Sequence, residues 1–183
     1  MKRPAVFLDR DGTLIEDAGF LRHAAEVSFF PQTFSALRRL RRFVLFIVTN
    51  QSGIAKGEIT TEEARIVNDY VVRRLAEHEI DIRAVYCCPH QRTDECDCMK
   101  PKPYSLKLAE REHKIDLGRS FVIGDHPSDI ELAHAVGAKG IYVLTGHGVK
   151  HREELRVPET VVGDIGAAAD VILGMGTEFL NSA

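Results

Sequence analysis

Short apolar runs of strand length alternate along this chain with segments of helical periodicity. The run that most constrains the fold is residues 43–48, in which six consecutive residues are apolar. A strand of this composition has no polar face to turn toward water, so it is typical of a parallel sheet covered on both faces by helices. The pattern therefore predicts the α/β class with a doubly wound parallel sheet.

The remaining elements are predicted from the same periodicities. Thr60 and Glu63 have the spacing of a capping box at the start of one helix. The predicted helices cover residues 32–42, 61 to about 78, 103–113 and 128–136. The predicted strands cover residues 5–8, 43–48, 82–87, 121–123, 140–144 and, last, 169–173, followed by a frayed helical tail. Residues 146–166 show no clear period and are predicted to form a long surface loop with a helical turn.

Length and composition limit the classes of protein that this chain can belong to. Its 183 residues are 44% hydrophobic and carry a formal net charge of −3, which is ordinary for a globular protein with a sizeable core. We therefore expect residues 1–183 to form a single domain. The acidic balance argues against a nucleic-acid partner, and no apolar run approaches the roughly 20 residues that a membrane span needs. Residues 5–8 are too short an apolar run for a signal peptide, so we expect a cytoplasmic protein. Separately, we expect it to be a monomer.

Polar residues with catalytic potential follow four of the predicted strands. Asp9 and Asp11 follow the first strand, Thr49 the second, Lys100 the loop after the third, and Asp125 the fourth. Ligands of open α/β sheets bind beyond the carboxyl ends of the strands. An aspartate can attack phosphorus, an acidic cluster suits Mg²⁺, and a hydroxyl with an ammonium group can bind phosphoryl oxygens. The set predicts phosphoryl-transfer chemistry at this edge of the sheet.

Four motifs in order resemble those of the haloacid dehalogenase (HAD) superfamily of phosphatases. Residues 7–13 resemble its first motif, and Thr49, Lys100 and Asp125 match its second, third and fourth. The resemblance covers about residues 5–145. Residues 49–55 (Thr-Asn-Gln-Ser-Gly-Ile-Ala) and the pattern Cys-Pro-His … Cys-Asp-Cys-Met-Lys-Pro are similar to the subgroup that holds the D-glycero-D-manno-heptose 1,7-bisphosphate 7-phosphatases and the histidinol-phosphate phosphatases. The HAD-like core would carry no large cap domain, because only about 36 residues separate its first and second motifs.

The resemblance implies a role for each motif residue. Asp9 would be the nucleophile that forms an aspartyl-phosphate, and Asp11 would be first the general acid and then the base. Asp9, the backbone carbonyl of Asp11, and Asp125 would bind Mg²⁺. Thr49 and Lys100 would bind the phosphoryl group. The residues expected to contact substrate are Asp17, Ala18, Gly19, Phe20, Asn50, Gln51, Ser52, Met99 and His126.

The resemblance also implies a small-molecule phosphate ester as substrate. The 7-phosphate of D-glycero-D-manno-heptose 1,7-bisphosphate, a precursor in lipopolysaccharide biosynthesis, matches best; histidinol phosphate or another small sugar phosphate is the alternative. Two positions depart from the pattern: Met99 stands where an arginine is expected, and His126 where the family often has lysine. Both changes remove positive charge that a second phosphate would need. Lys102, Lys56 and Arg10 are the cations that could compensate.

All four cysteines fall in one short window. The proposed zinc ligands are Cys88, His90, Cys96 and Cys98. Three sulfurs and one imidazole make a plausible tetrahedral Zn²⁺ site, and four protein ligands leave no open position for water, so the site is predicted to be structural. It would hold the loop that carries Lys100, while Cys87 is predicted to point into the core. Reduced thiols or a redox pair are the alternative.

Two other classes of function stay open, as do two roles for one further residue. A phospho-acceptor signalling domain also places an acidic cluster, a threonine and a lysine on such a sheet, although its acceptor would end the third strand. A nucleic-acid end-processing phosphatase shares the fold, but this chain is acidic and lacks the G-x-x-x-x-G-K-[ST] kinase motif.

Asp129, four residues after Asp125, is predicted either to cap a helix or to support the metal without binding it directly.

Overall fold

The computed structural model describes residues 2–156 and 160–180, with side chains described as far as Met175 at the C-terminal end. Among these residues, six strands form one parallel sheet in the order β3-β2-β1-β4-β5-β6. The strands are β1 (Ala5–Leu8), β2 (Val44–Asn50), β3 (Ile82–Cys88), β4 (Phe121–Gly124), β5 (Lys139–Val143) and β6 (Thr160–Val162). The predicted α/β class with a doubly wound sheet is confirmed.

Helices cover both faces of this sheet. They are α1 (Thr33–Arg39), α2 (Thr61–Ala76), α3 (Tyr104–His113), α4 (Pro127–His134), α5 (Gly148–His151) and α6 (Ile165–Leu180). Alternate residues of β1 face opposite sides, as a strand requires. Val6 and Leu8 join a core with α1, α2 and α6, whereas Ala5 and Phe7 join a second core with α3 and α4. Burial on both faces explains why the strands contain so few polar residues.

Two predictions for the C-terminal part of the chain are wrong. Residues 169–173 lie inside α6 and do not form a strand, and the last strand is β6, within the stretch that was predicted to be a loop. Ala168, Ala169 and Ile172 are fully buried, which is the i, i+1, i+4 spacing of one helical face. A short apolar run cannot by itself distinguish a buried strand from a helix packed on a sheet.

The order of the strands places a crevice at the carboxyl ends of β1 and β4. The chain leaves β1 to build β2 and β3 on one side and then returns to build β4, β5 and β6 on the other. Such a reversal is where open α/β sheets bind ligands. No further domain is inserted near it: residues 9–32 and 51–60 contain turns, bridges and one short 3₁₀ helix, Ala24–Glu26. No helix in the described part of the chain is long and apolar enough to cross a membrane.

Candidate active site

The crevice at the carboxyl edge of the sheet has a volume of about 970 Å³. Asp9 follows β1, Thr49 lies near the end of β2 and Asp125 follows β4, so three neighbouring strands deliver one polar group each. The residues that were predicted from sequence and that line the crevice are Asp9, Asp11, Asp17, Gly19, Phe20, Thr49, Asn50, Gln51, Ser52, Met99, Lys100, Asp125 and His126. Ala18 is exposed and lies outside this lining.

A buried acidic cluster forms the floor of the crevice. One carboxylate oxygen from each of Asp9, Asp125 and Asp129 lies within 4.8 Å of the others. Lys100 Nζ lies 2.7 Å from Asp9 Oδ1 and 2.7 Å from Asp129 Oδ1. One ammonium group cannot balance three ionised carboxylates, so the ionised cluster needs a further positive charge. Hard oxygen ligands around uncompensated negative charge suit Mg²⁺.

The pKa values of these groups reflect their burial first and the neighbouring charges second. Burial raises the pKa of Asp9, although the ammonium of Lys100 opposes the shift. Burial and the charge of Asp9 raise the pKa of Asp125 to about 8. Burial lowers the pKa of Lys100, but Asp129 and Asp9 outweigh that effect and the net pKa is raised. A bound cation would favour the ionised carboxylates, so the cluster fits a divalent metal.

Two glycines allow the carboxylates to come this close. Gly12 has a φ of +79°, and a Cβ there would lie 2.0 Å from Asp125 Oδ2. A Cβ on Gly124 would lie 2.1 Å from Asp129 Oδ2. The backbone N–H of His147 donates to Asp125 Oδ2 over 2.7 Å and holds that carboxylate from the other side. Only residues without a side chain permit this packing.

Asp11 stands apart from the acidic cluster because it has cationic and amide partners of its own. The Nε and Nη2 atoms of Arg10 lie 2.9–3.3 Å from its two carboxylate oxygens. Gln51 Nε2 donates to Asp11 Oδ2 over 2.8 Å and to Thr49 Oγ1 over 2.9 Å. Burial raises the pKa of Asp11, and Arg10 opposes the shift. A carboxyl group beside Asp9 whose pKa is raised is suited to proton transfer.

The predicted zinc ligands come together in the loop after β3. Sγ or Nδ1 atoms of Cys88, His90, Cys96 and Cys98 all lie within 4.8 Å of one another. The separations given by close contacts run from 3.1 to 3.7 Å. A tetrahedron with Zn–S bonds of about 2.3 Å has edges of roughly 3.8 Å, so the donor set fits zinc. Cys87 is half-buried and lies outside this cluster.

Asn50 and Gln51, two of the residues predicted to contact substrate, form hydrogen bonds with other residues of the site. Asn50 Oδ1 accepts from the backbone N–H of Lys100 over 3.1 Å, and the amide of Gln51 donates to Asp11 and Thr49. At the rim, Asp17 Oδ2 lies 3.4 Å from His147 Nδ1. Side-chain amides therefore hold Asp11, Thr49 and the backbone of Lys100 in place.

The three cations proposed to compensate for Met99 and His126 each have another partner. Lys102 Nζ donates to the backbone carbonyl of Cys96 over 2.6 Å, and Lys56 Nζ lies 5.7 Å from the centroid of the Phe20 ring. Arg10 is buried against Asp11. His126 and Met99 both line the crevice, as do the cations Lys102, Arg92 and Arg156. Burial lowers the pKa of His126, and His151 lowers it further.

Four residues of this site were not predicted from the sequence in the roles that they have here: Arg10 as the partner of Asp11, Asn68, Thr145 and His147. Asp129, which was predicted either to cap a helix or to support the metal, does lie in the acidic cluster. Thr145 Oγ1 donates to the carbonyl of Gly12 over 2.6 Å, a contact between distant parts of the chain that no local pattern indicates.

Known proteins resemble this chain in both sequence and structure. Residues 97–168 match the HAD-hydrolase-like family. The chain is 35% identical over 181 residues to the D-glycero-beta-D-manno-heptose-1,7-bisphosphate 7-phosphatase of Yersinia pestis, covering 93% of this chain and 89% of that enzyme. Its structure matches that of the D,D-heptose 1,7-bisphosphate phosphatase of B. bronchiseptica complexed with magnesium and phosphate, with a TM-score of 0.86, 30% identity and coverage of 94% and 99%. The corresponding enzyme of Burkholderia thailandensis matches with a TM-score of 0.70, 27% identity and coverage of 93% and 99%.

Proposed function

The chain belongs to the HAD-like phosphatases, in the family of the heptose-1,7-bisphosphate 7-phosphatases, and on that basis we propose that it hydrolyses a sugar phosphate through an aspartyl-phosphate on Asp9. The observation that carries this mechanism is the position of Asp9 at the floor of the crevice. Its carboxylate lies 2.7 Å from Lys100 Nζ and beside Asp125. A buried aspartate with a cation at hand can act as a nucleophile toward phosphorus.

The proposed reaction has two steps that use the same carboxyl pair. In the first step, a carboxylate oxygen of Asp9 bonds to phosphorus, the bond from phosphorus to the ester oxygen breaks, and Asp11 gives that oxygen a proton. In the second step, water attacks phosphorus, Asp11 takes the water proton, and Asp9 is released with inorganic phosphate. Thr49 and Lys100 bind the phosphoryl oxygens and stabilise the charge that develops on them.

We propose Mg²⁺ as the cofactor of this reaction and Zn²⁺ as a structural ion. Asp9, Asp125 and the backbone carbonyl of Asp11 would hold Mg²⁺, with Asp129 beside them. Bound there, Mg²⁺ would neutralise charge between the nucleophile and the phosphoryl group. A related enzyme was crystallised with magnesium and phosphate, which supports the proposal. The zinc ligands would be Cys88, His90, Cys96 and Cys98.

The proposed substrate is D-glycero-D-manno-heptose 1,7-bisphosphate, which would lose its 7-phosphate. The support is the activity named for relatives that match this chain over most of their length. A second candidate is an ester with a single phosphate, such as histidinol phosphate. It is favoured by Met99 and His126, which replace cationic residues of the family pattern, and by the contacts that Lys102 and Lys56 already make with other groups of the protein.

The test is phosphate release, with Mg²⁺ present, from heptose 1,7-bisphosphate, fructose 1,6-bisphosphate and histidinol phosphate. We expect the highest kcat/KM for the heptose bisphosphate, with loss of the 7-phosphate seen by phosphorus NMR. Asp9→Asn should abolish turnover, whereas Asp69→Asn, at an exposed carboxylate of α2, should match the wild type. Wild-type activity in Asp9→Asn would refute the mechanism, and a preference for histidinol phosphate would favour the second candidate.

A further inference from the structure

Arg10 stands between the two catalytic aspartates, and its positive charge has no part in the reaction proposed above. Its side chain is only 1% exposed, and it is the largest fully buried side chain among the described residues. Arg10 is also not among the residues that line the crevice. A guanidinium keeps its charge at any physiological pH, and a buried charge persists only where it is paired. The partners of Arg10 therefore indicate its role.

Those partners lie at the two ends of the guanidinium. On one side, Nε and Nη2 contact both carboxylate oxygens of Asp11 at 2.9–3.3 Å. On the other side, Nη1 donates to Asn68 Oδ1 over 2.7 Å. Asn68 lies on α2 and is itself buried, with 9% of its surface exposed. The guanidinium thus connects the carboxyl group that follows β1 to a helix far along the chain.

This arrangement restricts the orientation of Asp11. Two nitrogens of a planar guanidinium that contact both oxygens of a carboxylate define the plane of that carboxylate as well as its position. Asn68 Oδ1 in turn accepts a hydrogen bond from the guanidinium, which restricts rotation of the guanidinium at the end of the long Arg10 side chain. Gln51 Nε2 donates to Asp11 Oδ2 over 2.8 Å and supports the carboxyl group from the β2 side. The carboxyl group is therefore held from two neighbouring elements.

We propose that Arg10, held by Asn68, is a positioning residue that orients Asp11 for proton transfer to the leaving group. The inference rests on the proposed function, in which Asp11 is the general acid. A positioned acid contributes about 10²–10⁴ in rate, and a misplacement of about 1 Å can cost a hundredfold. Neither Arg10 nor Asn68 lines the crevice, so their effect should fall on the proton-transfer step and not on substrate binding.

The leaving group distinguishes this role from a general structural one. A sugar alkoxide is a strong base and needs a proton as the ester bond breaks, whereas p-nitrophenolate departs as a stable anion. Loss of the orientation of Asp11 should therefore slow hydrolysis of the sugar phosphate much more than hydrolysis of p-nitrophenyl phosphate. A substitution that merely loosened the fold would reduce both rates by the same factor.

The experiment compares kcat and KM for heptose 1,7-bisphosphate and p-nitrophenyl phosphate in three variants. Asn68→Leu removes the hydrogen-bond acceptor of Arg10 but keeps the positive charge of Arg10. Asn68→Asp keeps an acceptor at that position. Arg10→Met removes the guanidinium. Asp69→Leu, at an exposed position of α2, is the matched control. Thermal unfolding reports whether each variant folds, and Asn68→Leu keeps the test decisive if Arg10→Met does not fold.

For the sugar phosphate, we expect kcat to fall about tenfold in Asn68→Leu and about 10²-fold in Arg10→Met, with KM within about twofold. For p-nitrophenyl phosphate, both variants should stay within about threefold of the wild type, and Asn68→Asp should restore the sugar-phosphate rate. Equal losses on both substrates, or no loss in Asn68→Leu, would overturn the positioning role while leaving the proposed function intact. A wild-type enzyme that released no phosphate from either ester would refute the proposed function and this inference together.

Discussion

The side chain of Asp129 is fully buried and lies close to three other parts of the site. Its Oδ1 atom accepts from Lys100 Nζ over 2.7 Å, and its Oδ2 atom accepts from the backbone N–H of His126 over 3.2 Å. A carboxylate oxygen of Asp129 also lies within 4.8 Å of Asp9 and Asp125. The sequence allowed two roles for Asp129. The capping role is confirmed by the hydrogen bond from the backbone N–H of His126. The supporting role toward a metal stays a prediction, and the proximity of Asp129 to Asp9 and Asp125 favours it.

Asp129→Asn tests that support, because it keeps the shape of the side chain and removes its charge. We expect Mg²⁺ affinity to fall about 10–100-fold, the usual loss when a group that orients metal ligands is replaced. Calorimetric titration of the variant with Mg²⁺ and the Mg²⁺ dependence of turnover both measure the change. Asp170→Asn, at an exposed carboxylate that pairs with Arg39, is the control. Equal Mg²⁺ affinity in the two variants would show that Asp129 does not serve the metal.

At the scale of elements, the loop between β3 and α3 connects the predicted zinc site to Lys100, the residue proposed to bind the phosphoryl group. Cys88 ends β3, and Lys100 follows Cys98 by two residues. Asn50 Oδ1 accepts from the backbone N–H of Lys100 over 3.1 Å, so the loop is also attached to the end of β2. The position of the Lys100 ammonium therefore depends on a loop that contains little regular structure, and a structural metal would hold it.

We expect removal of zinc to reduce phosphatase activity by misplacing Lys100 rather than by removing a chemical group. Elemental analysis should find a full equivalent of zinc in the wild type and almost none in Cys98→Ser, whose turnover should fall at least about tenfold. Cys87→Ser is the matched control for zinc content, because that thiol lies outside the four-ligand cluster; its hydrogen bond to Asn68 excludes it as a control for turnover. Zinc-free wild-type protein, purified without chelators, would contradict the site.

The second element-scale prediction concerns the start of α2, the helix that carries Asn68. Thr60 Oγ1 accepts from the backbone N–H of Glu63 over 3.1 Å, and Glu63 Oε2 accepts from the backbone N–H of Thr60 over 2.7 Å. This contact confirms the predicted capping box. Thr60→Ala should lower the free energy of unfolding by about 1 kcal/mol and Tm by about 2–4 °C. Thr61→Ala, one residue later, should change Tm much less; equal shifts in thermal melts of the two variants would count against the cap.

At the scale of the whole molecule, the site is supported by two cores that share one sheet. Below the crevice, on the face covered by α3 and α4, aromatic rings stack across neighbouring strands. The ring centroids of Phe7 and Phe46 lie 5.1 Å apart, and those of Phe46 and Tyr86 lie 5.9 Å apart. Phe46 thus links β1 and β3 through β2, and it is fully buried.

Phe46→Ala should lower the free energy of unfolding by about 3–5 kcal/mol, because it leaves a cavity and removes both ring contacts. Urea denaturation followed by circular dichroism measures the change. Tyr104→Ala, at a side chain that is 51% exposed, should remain within about 0.5 kcal/mol of the wild type. A loss below about 1 kcal/mol in Phe46→Ala would mean that the core can collapse around the missing ring.

Local patterns predicted much of this molecule because the physical causes are local. Six apolar residues in a row can only be buried on both faces, which determined β2 and the doubly wound class. The spacing of Cys88, His90, Cys96 and Cys98 predicted a four-donor metal site, and their donor atoms do lie within 4.8 Å of one another. The strand predicted at residues 169–173 is wrong: these residues are in α6, because burial against a sheet makes a short helical segment as apolar as a strand.

The sequence by itself determined the α/β class, the strands that deliver Asp9 and Asp125, and the composition of the cysteine loop. Only the tertiary structure decided that Arg10 contacts Asn68, that Lys100 lies between Asp9 and Asp129, and that the backbone N–H of His147 reaches Asp125. Each of these contacts joins residues that are distant along the chain. Their existence depends on strand order and on how helices pack across the sheet, and no local periodicity or spacing encodes either of these.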